Sequence, residues 1–263
     1  MYHLFPPIQN LAIISESTQN LVKLSQFKKK DNILLVGFPS NGLIGTFTIS
    51  YLVHYLKMKQ IGEIEMPELP PALFIDNGEI FAPIRIYKKE NLFVIMSDIP
   101  FPIDIAHVFA KSVMEVAKKN KIGKVIIISG LDAMDIENKK PKVYGLVTHK
   151  SLEGLLYQND IPKFLAGTIF GTDAAVIYAL RASNIPTLVL YAECHPFFPD
   201  PKASVHAITI LSKILKIRID TSGIKKKLEF LRIQHRNLMQ ETIEALQQQQ
   251  GKEPARRIPH IYK

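Results

Sequence analysis

The chain has 263 residues, 47% of them hydrophobic, so a sizeable core is available for one large domain or two small ones, and general disorder is not expected. Its single cysteine, Cys194, excludes an internal disulfide and suits a reducing compartment, and no apolar run approaches the roughly 18 residues of a membrane span. The net charge of +9 is uneven: residues 213–263 hold 12 Lys/Arg against 5 Asp/Glu (+7), which leaves 21 against 19 (+2) for residues 1–212.

Met1 to Pro7 shows no basic segment leading into an apolar stretch, so no signal peptide is expected and the cytoplasm is the expected location. Asn10–Ile14 reads as a first strand and Gln19–Lys30 as a polar, basic helix or arm. Asn32–Gly37 is a short apolar run of the kind a buried strand shows. A glycine-rich turn follows, Phe38 to Gly45, and then a helical pattern through Lys57. Strand, glycine turn and helix together can cradle a phosphate. Gly37 and Gly42 have the right spacing, but Leu43-Ile44 stand where Lys-Ser/Thr would be needed, and four residues rather than one separate the first two glycines. Gly37, Gly42 and Gly45 are therefore read as a structural turn that lets a helix pack tightly on the sheet.

Ile61–Glu65, Ala72–Ile75, Ile80–Tyr87 and Leu92–Ser97 are short strand candidates separated by prolines and by Asn77-Gly78, a strong hairpin signal. Asp104–Lys121 has helical spacing, with lysines crowding its last turn, and Lys124–Gly130 is the clearest buried strand. After it, Leu131-Asp132-Ala133-Met134-Asp135 sits where an open α/β sheet places a site. Strands are expected at Val143–Val147, Lys163–Gly167 and Thr187–Ala192, with helices at Lys150–Gln158, from Thr168–Asp173 to Ser183, and at Ala203–Lys216 behind an Asp200 cap. This alternation predicts an α/β three-layer sandwich with a largely parallel, mixed sheet over residues 1–220. A long helix is expected at 221–250, carrying one apolar stripe through Ile224, Leu228, Leu231, Leu238, Thr242 and Ala245. That stripe fits either coiled-coil pairing or packing on its own domain. Residues 251–263, broken by glycine and prolines, read as a flexible tail that ends in Ile261-Tyr262-Lys263. Such an end inserts into a partner through a carboxylate-capture mode or folds back on its own surface.

No constellation of catalytic residues stands out, so an enzyme is not expected. Asp98, Asp104, Asp132, Asp135, Asp173 and Asp200 fall near strand ends or helix starts, where capping and turn roles account for most of them. No His/Cys/Glu pair has metal-ligand spacing, and neither a metal nor a cofactor is expected. Cys194-His195 are adjacent on an extended chain and point opposite ways. The basic C-terminal segment suits an acidic protein surface or nucleic acid, but it interleaves only Phe230 and Tyr262 among its cations, which disfavours nucleic acid.

Three stretches resemble, in order and spacing, the archaeal-type members of the proteasome assembly chaperone family, second subtype. They are Gly37-Phe38-Pro39 with Gly42-Leu43-Ile44-Gly45, then Gly167-Thr168-Ile169-Phe170-Gly171, then Pro196 with Pro199-Asp200-Pro201-Lys202-Ala203. The resemblance covers roughly residues 30–222. It implies a non-enzymatic α/β sandwich similar to nucleoside phosphorylases. It also implies an end of the hydrophobic-Tyr-any type, matched here by Ile261, Tyr262 and Lys263, which docks between neighbouring 20S proteasome α-subunits. The expected partners are then those α-subunits and further copies of this chain, as a tetramer or pentamer. A phosphorylase-like enzyme and a basic nucleic-acid binder are the alternatives.

Overall fold

β-Branched and leucine-rich runs whose side chains alternate between two buried faces build the sheet, and amphipathic segments cover both sides of it. The computed structural model describes residues 32–69, 71–76, 78–133, 140–195 and 199–219. The expectations for 10–14, 19–30, Met134-Asp135, Pro196, 221–250 and 251–263 lie outside the described residues. In chain order the first elements are β1 (Asn32–Gly37), α1 (Ile44–Tyr55), β2 (Lys59–Glu63) and the short pair β3 (Phe74–Asp76) and β4 (Glu79–Phe81). Next come β5 (Ile84–Lys89), β6 (Leu92–Ser97), α2 (Ala106–Lys119) and β7 (Ile122–Asp132). The last are β8 (Val143–Val147), α3 (Glu153–Gln158), α4 (Gly171–Ala182), β9 (Thr187–Cys194) and α5 (Pro201–Leu215).

Seven strands form one sheet in the order β2-β5-β6-β1-β7-β9-β8. Its centre, β6-β1-β7-β9, is parallel, whereas β2, β5 and β8 add antiparallel edges. Leu34 and Val36 of β1, Val125 and Ile127 of β7, and Val189 of β9 face α2 and α4, where Phe109, Val113, Val176 and Leu180 close the core. The intervening Leu35, Ile126, Ile128, Leu188 and Leu190 face α1, α3 and α5. The architecture is thus the three-layer α/β sandwich with a mixed sheet.

Several local expectations shift. The run expected at 80–87 is two strands, because Pro83 interrupts the pairing; its carbonyl instead accepts from the Asp98 amide at 2.9 Å. Lys163–Gly167 is not a strand. Beyond a single parallel bridge from Lys163 to Gly145, with the Phe164 amide donating to the Gly145 carbonyl at 2.9 Å, the chain turns away from β8. The helix expected at 150–158 opens with one 3-10 turn, Lys150–Leu152, before α3. Asp200 caps α5, its Oδ1 accepting from the Ala203 amide at 2.9 Å, and Pro201 occupies the first turn. After α5, Lys216 turns the chain back (φ +56) and Ile219 packs beside the Leu43, Phe47, Tyr51 and Ile208 cluster. The Tyr55 hydroxyl, at the far end of α1, donates to the Arg218 carbonyl at 3.3 Å.

Candidate functional site

The chain leaves β1 toward one face of the sheet, through α1, while α4 approaches from the other face. Between the C-terminal ends of β1 and β7 this leaves the crevice in which open α/β sheets bind ligands. A cleft of about 210 Å³ occupies it. One wall is the β1–α1 turn, with Phe38, Pro39, Ser40 and Asn41; the floor is Ser129 and Gly130 of β7; the other wall is Phe170, Thr172 and Asp173 at the start of α4.

Close backbone packing shapes this turn. A Cβ on Gly130 would lie 2.0 Å from the Asn41 carbonyl oxygen, so only glycine lets the turn cross the end of β7. A Cβ on Gly45 would meet the Ile128 and Phe38 carbonyl oxygens at 2.6 and 2.8 Å, and one on Gly37 would meet the Gly45 oxygen at 2.6 Å. Gly42 sits in the left-handed region (φ +63) against Cys194. The Ser40 hydroxyl accepts from the Gly130 amide at 3.4 Å and ties the turn to the strand. Phe38 is buried, held edge-on by Phe101 and Phe109, which makes the apolar wall rigid.

The electrostatic centre is Asp173. Its Oδ2 accepts from the Ser129 hydroxyl at 2.7 Å, while Oδ1 is cut off from solvent and has no hydrogen-bond partner among the described residues. Burial pushes the carboxyl up to about 6, against the lowering effect of the Ser129 bond. The residue as a whole is only half-buried, but its carboxyl is turned inward behind the cleft wall toward Ser129. The Tyr191 hydroxyl is also buried and unpartnered among the described residues, and its phenol is pushed up by burial and then by the Asp173 charge.

The aspartates sort by partner. Asp200 is a cap, but Asp98 forms a buried ion pair with Arg85, whose guanidinium lies over the Phe74 and Phe81 rings at 4.8 and 5.3 Å. Asp173 caps nothing. Asp104 lies in the 3-10 turn leading into α2. Asp132 ends β7 and is exposed, outside the cleft; the part of β7 that enters the site is Ser129-Gly130, within the strand. Cys194 is buried, and burial pushes its thiol up to about 12, helped by the Asp200 and Asp132 charges, so it is not a thiolate at neutral pH. Among the described residues no group of three His, Cys, Asp or Glu is placed to hold a metal ion. No described helix is long and apolar enough to cross a membrane. Ile261, Tyr262 and Lys263 lie outside the described residues. Nothing in the sequence links Ser129 to Asp173; the one local signal is the Ser-Gly that closes the apolar run of β7 at the ligand-binding edge.

By architecture this is a three-layer α/β protein with a polar crevice at its switch point. It belongs to the PAC2 family, whose sequence profile matches residues 34–239. An uncharacterized protein of Methanocaldococcus jannaschii is 24% identical over 234 residues, covering 84% of this chain and 94% of that protein. Among solved structures, Pyrococcus furiosus PbaA, an archaeal homolog of proteasome-assembly chaperone, superposes with a TM-score of 0.76 at 24% identity, covering 84% of this chain and 97% of PbaA. Pyrococcus furiosus PbaB, an archaeal proteasome activator, gives 0.66 at 18% identity, covering 81% and 97%. At these identities the superpositions speak for the fold.

Proposed function

We propose that this chain is a non-enzymatic, cytoplasmic proteasome-assembly chaperone or activator-like adaptor, a homo-oligomer whose C-terminal tails dock between 20S proteasome α-subunits. The observation that carries this reading is the PAC2 membership across residues 34–239 in a chain that ends Ile261-Tyr262-Lys263. The domain plan behind it is a core over residues 1–220, a helix over 221–250 for oligomerisation or packing, and a tail over 251–263.

The energetics require several copies. Burying Ile261 and Tyr262 contributes about 1.5–3 kcal/mol each. A charge-assisted contact to the terminal carboxylate adds about 1.5–3 kcal/mol. Association costs at least about 4 kcal/mol, so a single tail binds weakly. Tails on one oligomer bind at high effective concentration, and a 251–263 tail reaches roughly 20 Å toward neighbouring pockets.

The test is light scattering coupled to size exclusion, with and without purified 20S α-subunits, on the full chain and on a chain lacking Ile261 to Lys263. The full chain should run as an oligomer and form a complex that the shortened chain does not. Equal complex formation by both would remove the tail from the mechanism, and a monomer would remove the multivalent docking. A phosphorylase-type activity needs a cation to meet a phosphate, and among the described residues that line the cleft there is no Lys, Arg or His.

A further inference from the structure

The end of the sheet opposite the cleft carries a charge that the composition conceals. β1, β6, β7 and β9 run parallel and all begin at this end, while α1, α2, α4 and α5 finish at it. The Tyr55 hydroxyl on the Arg218 carbonyl, the Asn32 side chain on the Asn120 carbonyl (2.8 Å) and Lys89 Nζ on the Leu56 carbonyl (2.7 Å) tie these termini together. Residues 1–212 are nearly balanced, with 21 Lys/Arg against 19 Asp/Glu. Yet the segments that meet here, 57–59, 88–91, 118–124, 148–150, 181–187 and 213–218, hold 13 Lys/Arg against one acid, Glu90. Eleven of those cations are exposed. The stretches that adjoin this end in the chain, 19–31 and 220–232, are themselves net positive and do not neutralise it. Four helix C-termini present about half a negative charge each, about two in all, far less than the net +12 gathered around them.

Three of the lysines stand where a helix end favours glycine. Lys57 (φ +49), Lys121 (φ +50) and Lys216 (φ +56) are the left-handed residues that close α1, α2 and α5. The amide of each donates to the carbonyl three residues back, at 3.1 Å in all three. The left-handed conformation costs a side chain about twice what an exposed cation gains from the helix dipole, so the fold itself does not account for lysine there. The chemistry of this end selects its partner. Protein interfaces are poor in lysine and rich in aromatics, methionine and arginine, whereas 11 of these 13 cations are lysine and none of the exposed large apolar side chains lies in these segments. Without such anchors the end neither inserts into a bilayer nor stacks on the bases of a single strand. Lysine is a compact point charge that meets a phosphate without a fixed geometry. Seven strands about 4.8 Å apart make the end about 29 Å across, a length of duplex that carries about 17 phosphates. We propose that this end of the fold binds the phosphate backbone of double-stranded nucleic acid, without reading sequence, through Lys57, Lys121, Lys216 and the lysines between them. The inference does not rest on docking to proteasome subunits.

The test is fluorescence polarisation on the full chain with a labelled DNA duplex of about 30 base pairs and mixed sequence, titrated between about 50 and 200 mM KCl. Binding should weaken by about 10³-fold or more over that range, as expected for six or more phosphate contacts. Lys57→Gly, Lys121→Gly and Lys216→Gly together should weaken binding at least about tenfold at the lower salt and flatten the log–log salt slope by about 2.7, about 0.9 for each lost contact, while the melting temperature does not fall. Lys140→Ala, Lys142→Ala and Lys202→Ala together remove the same charge from the opposite end, where β8 and α5 begin, and should weaken binding less than about threefold. No binding at the lower salt, a melting temperature lowered by the glycines, or equal weakening by the two triple variants would each overturn the proposal. So would displacement of the duplex by poly-glutamate as readily, charge for charge, as by unlabelled duplex, which would assign this end to an acidic protein instead.

Discussion

Replacing Asp173 by Asn tests the central feature of the cleft, a carboxylate held in its ionised form against burial. The fold raises this carboxyl from 3.8 to about 6. At about 1.4 kcal/mol per pH unit, the ionised group costs the folded state about 3 kcal/mol at neutral pH. Screening through the cleft mouth reduces this to about 2 kcal/mol. Because the folded pKa lies above the unfolded one, the native state binds a proton between about pH 4 and 6 that the unfolded chain has already released. Stability from this group therefore grows as pH falls through that window and is smallest above about pH 6. Asn keeps the shape but cannot titrate. Urea unfolding of both proteins at one fixed concentration should show the stability difference moving in favour of Asn by about 1–2 kcal/mol between about pH 4.5 and 7.5, since every other titrating group cancels. Ser129→Ala, which removes the hydrogen bond that holds the carboxyl down, should enlarge the pH dependence. A difference that is flat with pH, or of opposite sign, would refute the assignment of Asp173 as a sheltered, partly uncompensated carboxylate.

Gly45→Ala should destabilise the protein by about 1–3 kcal/mol in thermal or chemical unfolding, the usual range for overpacking, because the new methyl meets two backbone oxygens that cannot rotate away. Asp98→Ala strands the Arg85 guanidinium, whose side chain is 3% exposed, and should cost about 3–5 kcal/mol. Arg85→Met with Asp98→Leu should recover most of that loss, since an apolar pair of similar bulk fills the site under Phe74 and Phe81 without an ion to desolvate. Removing Ile261 to Lys263 should leave thermal unfolding unchanged while abolishing co-elution with 20S α-subunits.

The centre of the sheet is readable in the sequence because β1, β6, β7 and β9 each carry a short continuous apolar run, the mark of a strand buried on both faces. Its edges are less readable. Lys59–Glu63 (Lys-Gln-Ile-Gly-Glu) has almost no apolar signal and pairs with β5 through a register shift, so its expected position, Ile61–Glu65, falls two residues late. Lys163–Gly167 has apolar residues but no neighbour to complete a ladder beyond one bridge. The cleft is the least readable part. Asp173 carries the local signature of a residue in a helix's first turn, and only the fold brings Ser129, 44 residues earlier, onto its carboxylate. Spacing along the chain holds no record of that meeting.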